Sequence, residues 1–219
     1  MTAIAHDEVR SHTHLAPDEP EVAAAPSGFA AGNPAVLGLP VFVAGTVALA
    51  LALVGYVPGG LVGGALPIIL AATGVGLSVA TIWAAALGQT AVAGIFGIFA
   101  GFWLSYGVLV LGLTHNWFGV TPEAIVRSQA LFLVTWLVVI GMLTLATLRL
   151  PLAFTALFVL VDICLVALII GTLDASLTWV KLGGYVAFVF AAIGVYLFVG
   201  IAGEATGGRP LPLGRPVVH

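Results

Sequence analysis

Six stretches of about twenty or more predominantly apolar residues fill this chain from Leu37 to Ala202, each closed by a short polar or Pro/Gly break. They cover about 37–57, 61–87, 91–113, 125–148, 152–173 and 178–202. A helix of roughly 20 apolar residues crosses a bilayer while satisfying its own backbone hydrogen bonds. Period-2 alternation is missing from the runs, which argues against a β-barrel. The weakest break is Gly88-Gln89-Thr90, between the second and third runs, where no charge marks the loop. Fusing those runs would make one helix of about 50 residues, far beyond the thickness of any bilayer. The expected fold is therefore all-α: a polytopic membrane protein with six transmembrane helices in one bundle.

Composition agrees. Of 219 residues, 61% are hydrophobic and 7% charged, against roughly 25% charged in a soluble domain. Such a chain has too few charges to build a water-facing surface, so the lipid bilayer is its solvent. The net charge of −3 and the lack of a basic cluster argue against nucleic acid as a partner. Residues 1–32 read as a disordered acidic tail, with His6, His12 and His14 among its acids and no signal-peptide pattern. Residues 33–205 hold the membrane domain and 206–219 a C-terminal tail. Six crossings put both termini on one side. Arg10, Arg149, Arg209 and Arg215 share it, while Arg127 and Lys181 fall opposite, which favours cytoplasmic termini.

Several residues have plain structural readings. Tyr56, Trp83, Trp117 and Trp179 lie near run ends, as an interfacial aromatic belt requires. Gly97 and Gly101 sit one turn apart and permit close helix approach. Ser176 is placed to cap the sixth helix. Cys164 is a small hydrophobe within an apolar run.

Signs of an enzyme are missing. There is no phosphate loop, no HExxH and no nucleophile–base set within the runs, and no histidine lies in any of them. No cofactor or metal site is expected. One ionisable residue stands inside a run, Asp162 in Phe158-Val159-Leu160-Val161-Asp162-Ile163. A charge there costs at least about 2.5–3.5 kcal/mol, so such an acid is a functional candidate. It either couples a proton to passage of a solute or faces another helix as a neutral, hydrogen-bonded side chain. With Arg127, Arg149 and Lys181 all at helix ends, a carboxylate solute would cross neutral or be held by amides, hydroxyls and backbone N–H groups.

The most specific segment is Asn33-Pro34-Ala35-Val36-Leu37-Gly38-Leu39-Pro40-Val41-Phe42. Asn-Pro breaks the chain, Gly38 allows close packing, and Pro40 frees a backbone carbonyl at the start of the first helix. Free backbone groups and the Asn33 amide would suit a small polar solute. The segment resembles the signature of the acetate uptake transporter family, which includes bacterial succinate–acetate permeases. That signature reads Asn-Pro-Ala-Pro-Leu-Gly-Leu, two residues, then Phe, and only its second proline is changed here, to Val36. Phe102-Trp103-Leu104 and the tail Gly208-Arg209-Pro210-Leu211-Pro212-Leu213-Gly214 are similar to further family stretches.

The resemblance implies a six-helix protomer, assembled as a hexamer, with a pore for acetate and other small monocarboxylates. It puts the family's apolar constriction at Phe42, Phe99 and Val161. Asn33, Pro34, Gly38, Leu39 and Gln89 become the candidate solute contacts. The chain departs from the pattern in its second run, where Leu77 and Ala84 replace a Gln and a Glu. Asp162 stands where some members have Thr. A divergent acetate transporter or channel, with Asp162 as the proton-coupling candidate, is the expected function. The alternative is a hexameric channel for small neutral solutes such as urea or short amides, and a non-transporting membrane partner is a third class.

Overall fold

A computed structural model describes residues 32–57 and 62–218. The acidic tail up to residue 31 and the Pro58-Gly59-Gly60 turn lie outside the described residues. Among the described residues, six helices are long and apolar enough to cross a membrane: α1 (Ala35–Val54), α2 (Val62–Ala86), α3 (Thr90–Thr114), α4 (Pro122–Thr147), α5 (Leu152–Leu173) and α6 (Leu177–Ala205). Their ends fall within a few residues of the breaks in hydropathy, because the Gly, Pro and polar residues that interrupt the apolar runs also terminate the helices.

The local chemistry of these ends is visible. At the end of α1, Gly55 adopts φ 89°, and the N–H groups of Gly55 and Tyr56 return to the carbonyls of Ala52 and Leu51. This is a Schellman stop, which needs a residue that tolerates the left-handed region. Gly88, at φ 69°, turns the chain between α2 and α3. Pro122 occupies the first position of α4, where its missing N–H costs nothing. Ser176 sits at the N-cap position of α6 but makes no side-chain capping bond, so that expectation is corrected.

α1 passes through Pro40 without interruption. α2 is irregular about Pro67, with a 3₁₀ turn at Val62–Ala65 and a π segment at Ile68–Gly74 before regular helix from Val75. Within the π segment, the Thr73 hydroxyl donates to the carbonyl of Val41 at 2.8 Å. Gly45 lies directly against that threonine, so α1 and α2 approach closely.

The helices pack as a closed ring in chain order, α1 meeting α2 on one side and α6 on the other. Gly97 faces Thr81 of α2 and Gly101 faces Trp136 of α4, each with room for no more than a tight Cβ contact. The outside of the ring is apolar. On α4, Leu131, Val134, Val138, Met142 and Leu145 are all exposed at helical spacing. A face of this kind belongs in lipid.

The C-terminal segment is docked rather than trailing. The Leu213 carbonyl accepts from the N–H of Ala153, the Leu148 carbonyl accepts from Val217 and Val218, and Tyr196 Oη donates to the Pro212 carbonyl. It straps the end of α6 to the turn between α4 and α5.

Candidate functional site

Inside the ring are two cavities, one toward each end. The cavity on the side of the chain termini has a volume of about 330 Å³. Each helix that lines it uses one face at spacings of three and four: Ala35, Leu39 and Phe42 on α1; Val92, Ile95, Phe96 and Phe99 on α3; Phe154, Leu157 and Phe158 on α5; Leu197 and Ile201 on α6. Asn33 and Gln89 are the polar side chains among its lining residues. The second cavity, of about 630 Å³, is lined farther along the same helices and on α4, with Tyr106, Thr114, Gln129 and Thr172 as its polar groups.

Between these cavities lies a cluster of buried aromatic rings. Phe42 and Phe99 meet edge to face with centroids 4.9 Å apart. Phe99 stacks on Phe158 at 5.6 Å, and Phe42 lies 6.2 Å from Phe190. Val161, one turn beyond Phe158, is buried in the same core cluster. The three residues expected at a constriction thus share one core, and Phe158 and Phe190 join them. Both were overlooked in the sequence, although Phe154, Phe158 and Val161 fall on one helical face.

The candidate solute contacts divide. Asn33, Leu39 and Gln89 line the first cavity together. Asn33 also organises the start of α1: its Oδ1 accepts from the N–H of Ala35 at 3.0 Å and its carbonyl from that of Val36 at 3.0 Å. The second bond requires a residue with an N–H, which Val36 supplies in place of the family's proline. With one lone pair of Oδ1 so engaged, Asn33 retains its two amide N–H donors and a second acceptor position. Gly38 stands one layer back, in contact with the ring of the lining residue Phe96. Pro34 is fully buried, and its carbonyl accepts from the N–H groups of Leu37 and Gly38. Pro40 faces a groove on the outer side of α1, away from the cavity.

Asp162 is turned toward α4. Its Oδ2 lies 2.6 Å from Thr144 Oγ1, while Oδ1 is buried with no hydrogen-bond partner among the described residues. Thr144 Oγ1 is also 3.0 Å from the carbonyl of Ile140. A hydroxyl has one proton to donate. If it goes to Ile140, the carboxyl group must supply the proton of the other bond. Thr147 and Thr155 extend this polar seam, Thr155 donating to the Thr147 carbonyl at 2.8 Å. Asp162 lines neither cavity. Leu77 and Ala84, at the positions of the family's Gln and Glu, are fully buried.

Fold and interior define a class: a polytopic helical membrane protein whose ring of helices encloses cavities beside a cluster of buried aromatic rings. The sequence pattern of the GPR1/FUN34/yaaH family matches residues 16–207, and the chain belongs to that family. The solved structure of the bacterial acetate channel SatP is similar, with a TM-score of 0.73 and 25% identity, over 84% of this chain and 99% of that one. The meiotically up-regulated gene 86 protein of Schizosaccharomyces pombe is 30% identical over 138 residues, 58% of this chain. The match spans 43% of that relative's length.

Proposed function

We propose that this chain forms a membrane passage for small monocarboxylates, acetate first, and is a transporter or channel rather than an enzyme. One observation carries the reading: two cavities approach each other along the ring axis and are separated by the rings of Phe42, Phe99, Phe158 and Phe190. A constriction of apolar side chains holds back water and ions by dewetting, and opens to a solute that can shed its hydration. Asn33, Leu39 and Gln89 receive the solute at the mouth, with Pro34 and Gly38 holding their backbone. Phe42, Phe99 and Val161 form the narrow point. Family membership and the likeness to an acetate channel support the choice of solute.

A second reading, passage of neutral solutes such as urea or short amides, is favoured by the lack of Lys, Arg and His among the described residues lining either cavity. Uptake of labelled acetate and labelled urea into proteoliposomes at two pH values separates the two. Acetate uptake that rises at low pH supports the first and urea uptake the second, whereas neither solute moving would overturn both.

Proton coupling is proposed in its simplest form, with the proton carried on the solute as the undissociated acid. In the other form, Asp162 binds and releases it. An Asp162→Asn variant that keeps both rate and pH dependence removes Asp162 from the coupling. Assembly as a hexamer is proposed from the family resemblance. Cytoplasmic termini are proposed from Arg149, Arg209 and Arg215 against Arg127 and Lys181 on the other face.

A further inference from the structure

We infer that the cavity beside Asn33 and Gln89 selects undissociated aliphatic acids and prefers a tail longer than the single methyl of acetic acid. This rests on reading that cavity as the entrance for solute, and it specifies which members of the class bind best.

The first support is size. At about 330 Å³, the cavity falls within the range that encloses whole drug-sized ligands. Acetic acid has four heavy atoms, so most of the wall would face nothing, and unfilled apolar wall forfeits its dispersion contacts.

The second is the placing of polar groups. Of the fourteen described lining residues, Asn33 and Gln89 alone have polar side chains, and they lie where α1 and α3 begin. An undissociated carboxyl group both donates and accepts a hydrogen bond, which suits a pair of amides. The Asn33 N–H groups can serve its carbonyl, and the Gln89 carbonyl its hydroxyl. An ionised carboxylate would only accept, and it would meet no cation among the lining residues. Its desolvation would go uncompensated.

The third is what lies deeper. Past the amides, Leu39, Val92, Ile95, Leu157 and Ile201 give the cavity aliphatic walls. A carboxyl group anchored at the amides points its tail along these walls toward the rings of Phe42 and Phe99. Each methylene added there tightens binding by about fourfold, until the tail reaches the rings.

The test is calorimetric titration of the purified full-length protein in detergent with straight-chain acids of two to six carbons. Concentrations are matched in undissociated acid, and empty micelles provide the control. Affinity is expected to rise by about fourfold per methylene over the first additions. In Val92→Thr, which keeps the shape of the wall but adds a hydroxyl, the rise should be shallower. Equal affinity along the series overturns the inference, and so does affinity that follows the ionised fraction as pH is raised. Labelled-acetate uptake is measured in parallel. If uptake is absent while the chain-length slope is present, the transport reading fails and the inference stands. If uptake is present and the slope is flat, the inference fails alone.

Discussion

The rings of Phe42 and Phe99 meet edge to face at a centroid distance of 4.9 Å, and Phe99 stacks on Phe158. Phe99 is therefore the ring that joins α1 to α5 across the middle of the molecule, and at 4% exposed it is fully enclosed.

Replacing Phe99 with Ala removes both ring contacts at once. The cost in stability should be about 3–5 kcal/mol, the range for deleting a buried Phe, read as a lower midpoint of thermal unfolding in detergent. If the rings close the passage, the same variant should take up bulkier acids faster than the parent does, read as uptake into proteoliposomes. Loss of stability with no change in the size of solute admitted would make Phe99 a packing residue only.

At the seam between α4 and α5, Thr144→Val should cost about 1–3 kcal/mol, because it strips Asp162 Oδ2 of its partner while Oδ1 has none. Thr144→Ser keeps the hydroxyl and should restore most of the loss. Unfolding midpoints for the two variants check this. Equal midpoints for Val and Ser would show that the hydroxyl contributes nothing to the pair.

How much of this was legible in the sequence differs by level. The six crossings were, because burial in lipid is enforced residue by residue and any loop must break the apolar run. Asp162 was conspicuous for the same reason. Its partner was not, since Thr144 is one of several threonines in α4 and nothing local sets the register between two helices. The π segment Ile68–Gly74 has the composition of any apolar helix, and only the contact of Thr73 with Val41 distinguishes it. Phe158 and Phe190 were hidden in a chain so rich in apolar residues that an inward face and a lipid face look alike. Leu and Val occur on both faces, and the inward rings stand out only once the faces are known.

Gly38 and Gly94 make a controlled comparison. A Cβ on Gly38 would run into the ring of Phe96, whereas one on Gly94 would meet nothing within 4 Å. Gly94→Ala should stabilise α3 by about 0.5–1 kcal/mol through helix propensity. Gly38→Ala should destabilise by about 1–3 kcal/mol through overpacking and push Phe96 toward the cavity, with reduced acetate uptake. A Gly38→Ala variant as stable and as active as the parent would remove the reason for a glycine in this part of the signature.

Asn33 has two tasks, and two substitutions separate them. Its Oδ1 caps the N–H of Ala35, and the residue lines the cavity. Asn33→Ala loses both and should cost about 1 kcal/mol of stability along with most of the acetate uptake. Asn33→Asp keeps an oxygen for the cap, and its negative charge is favourable at the start of a helix, so its unfolding midpoint should stay near that of the parent. It has no amide donor for the carbonyl of the undissociated acid, however, so uptake should fall as far as in the alanine variant. If the Asp variant transports normally, the side chain serves the helix alone, and solute recognition at this end must rest on Gln89 and the backbone.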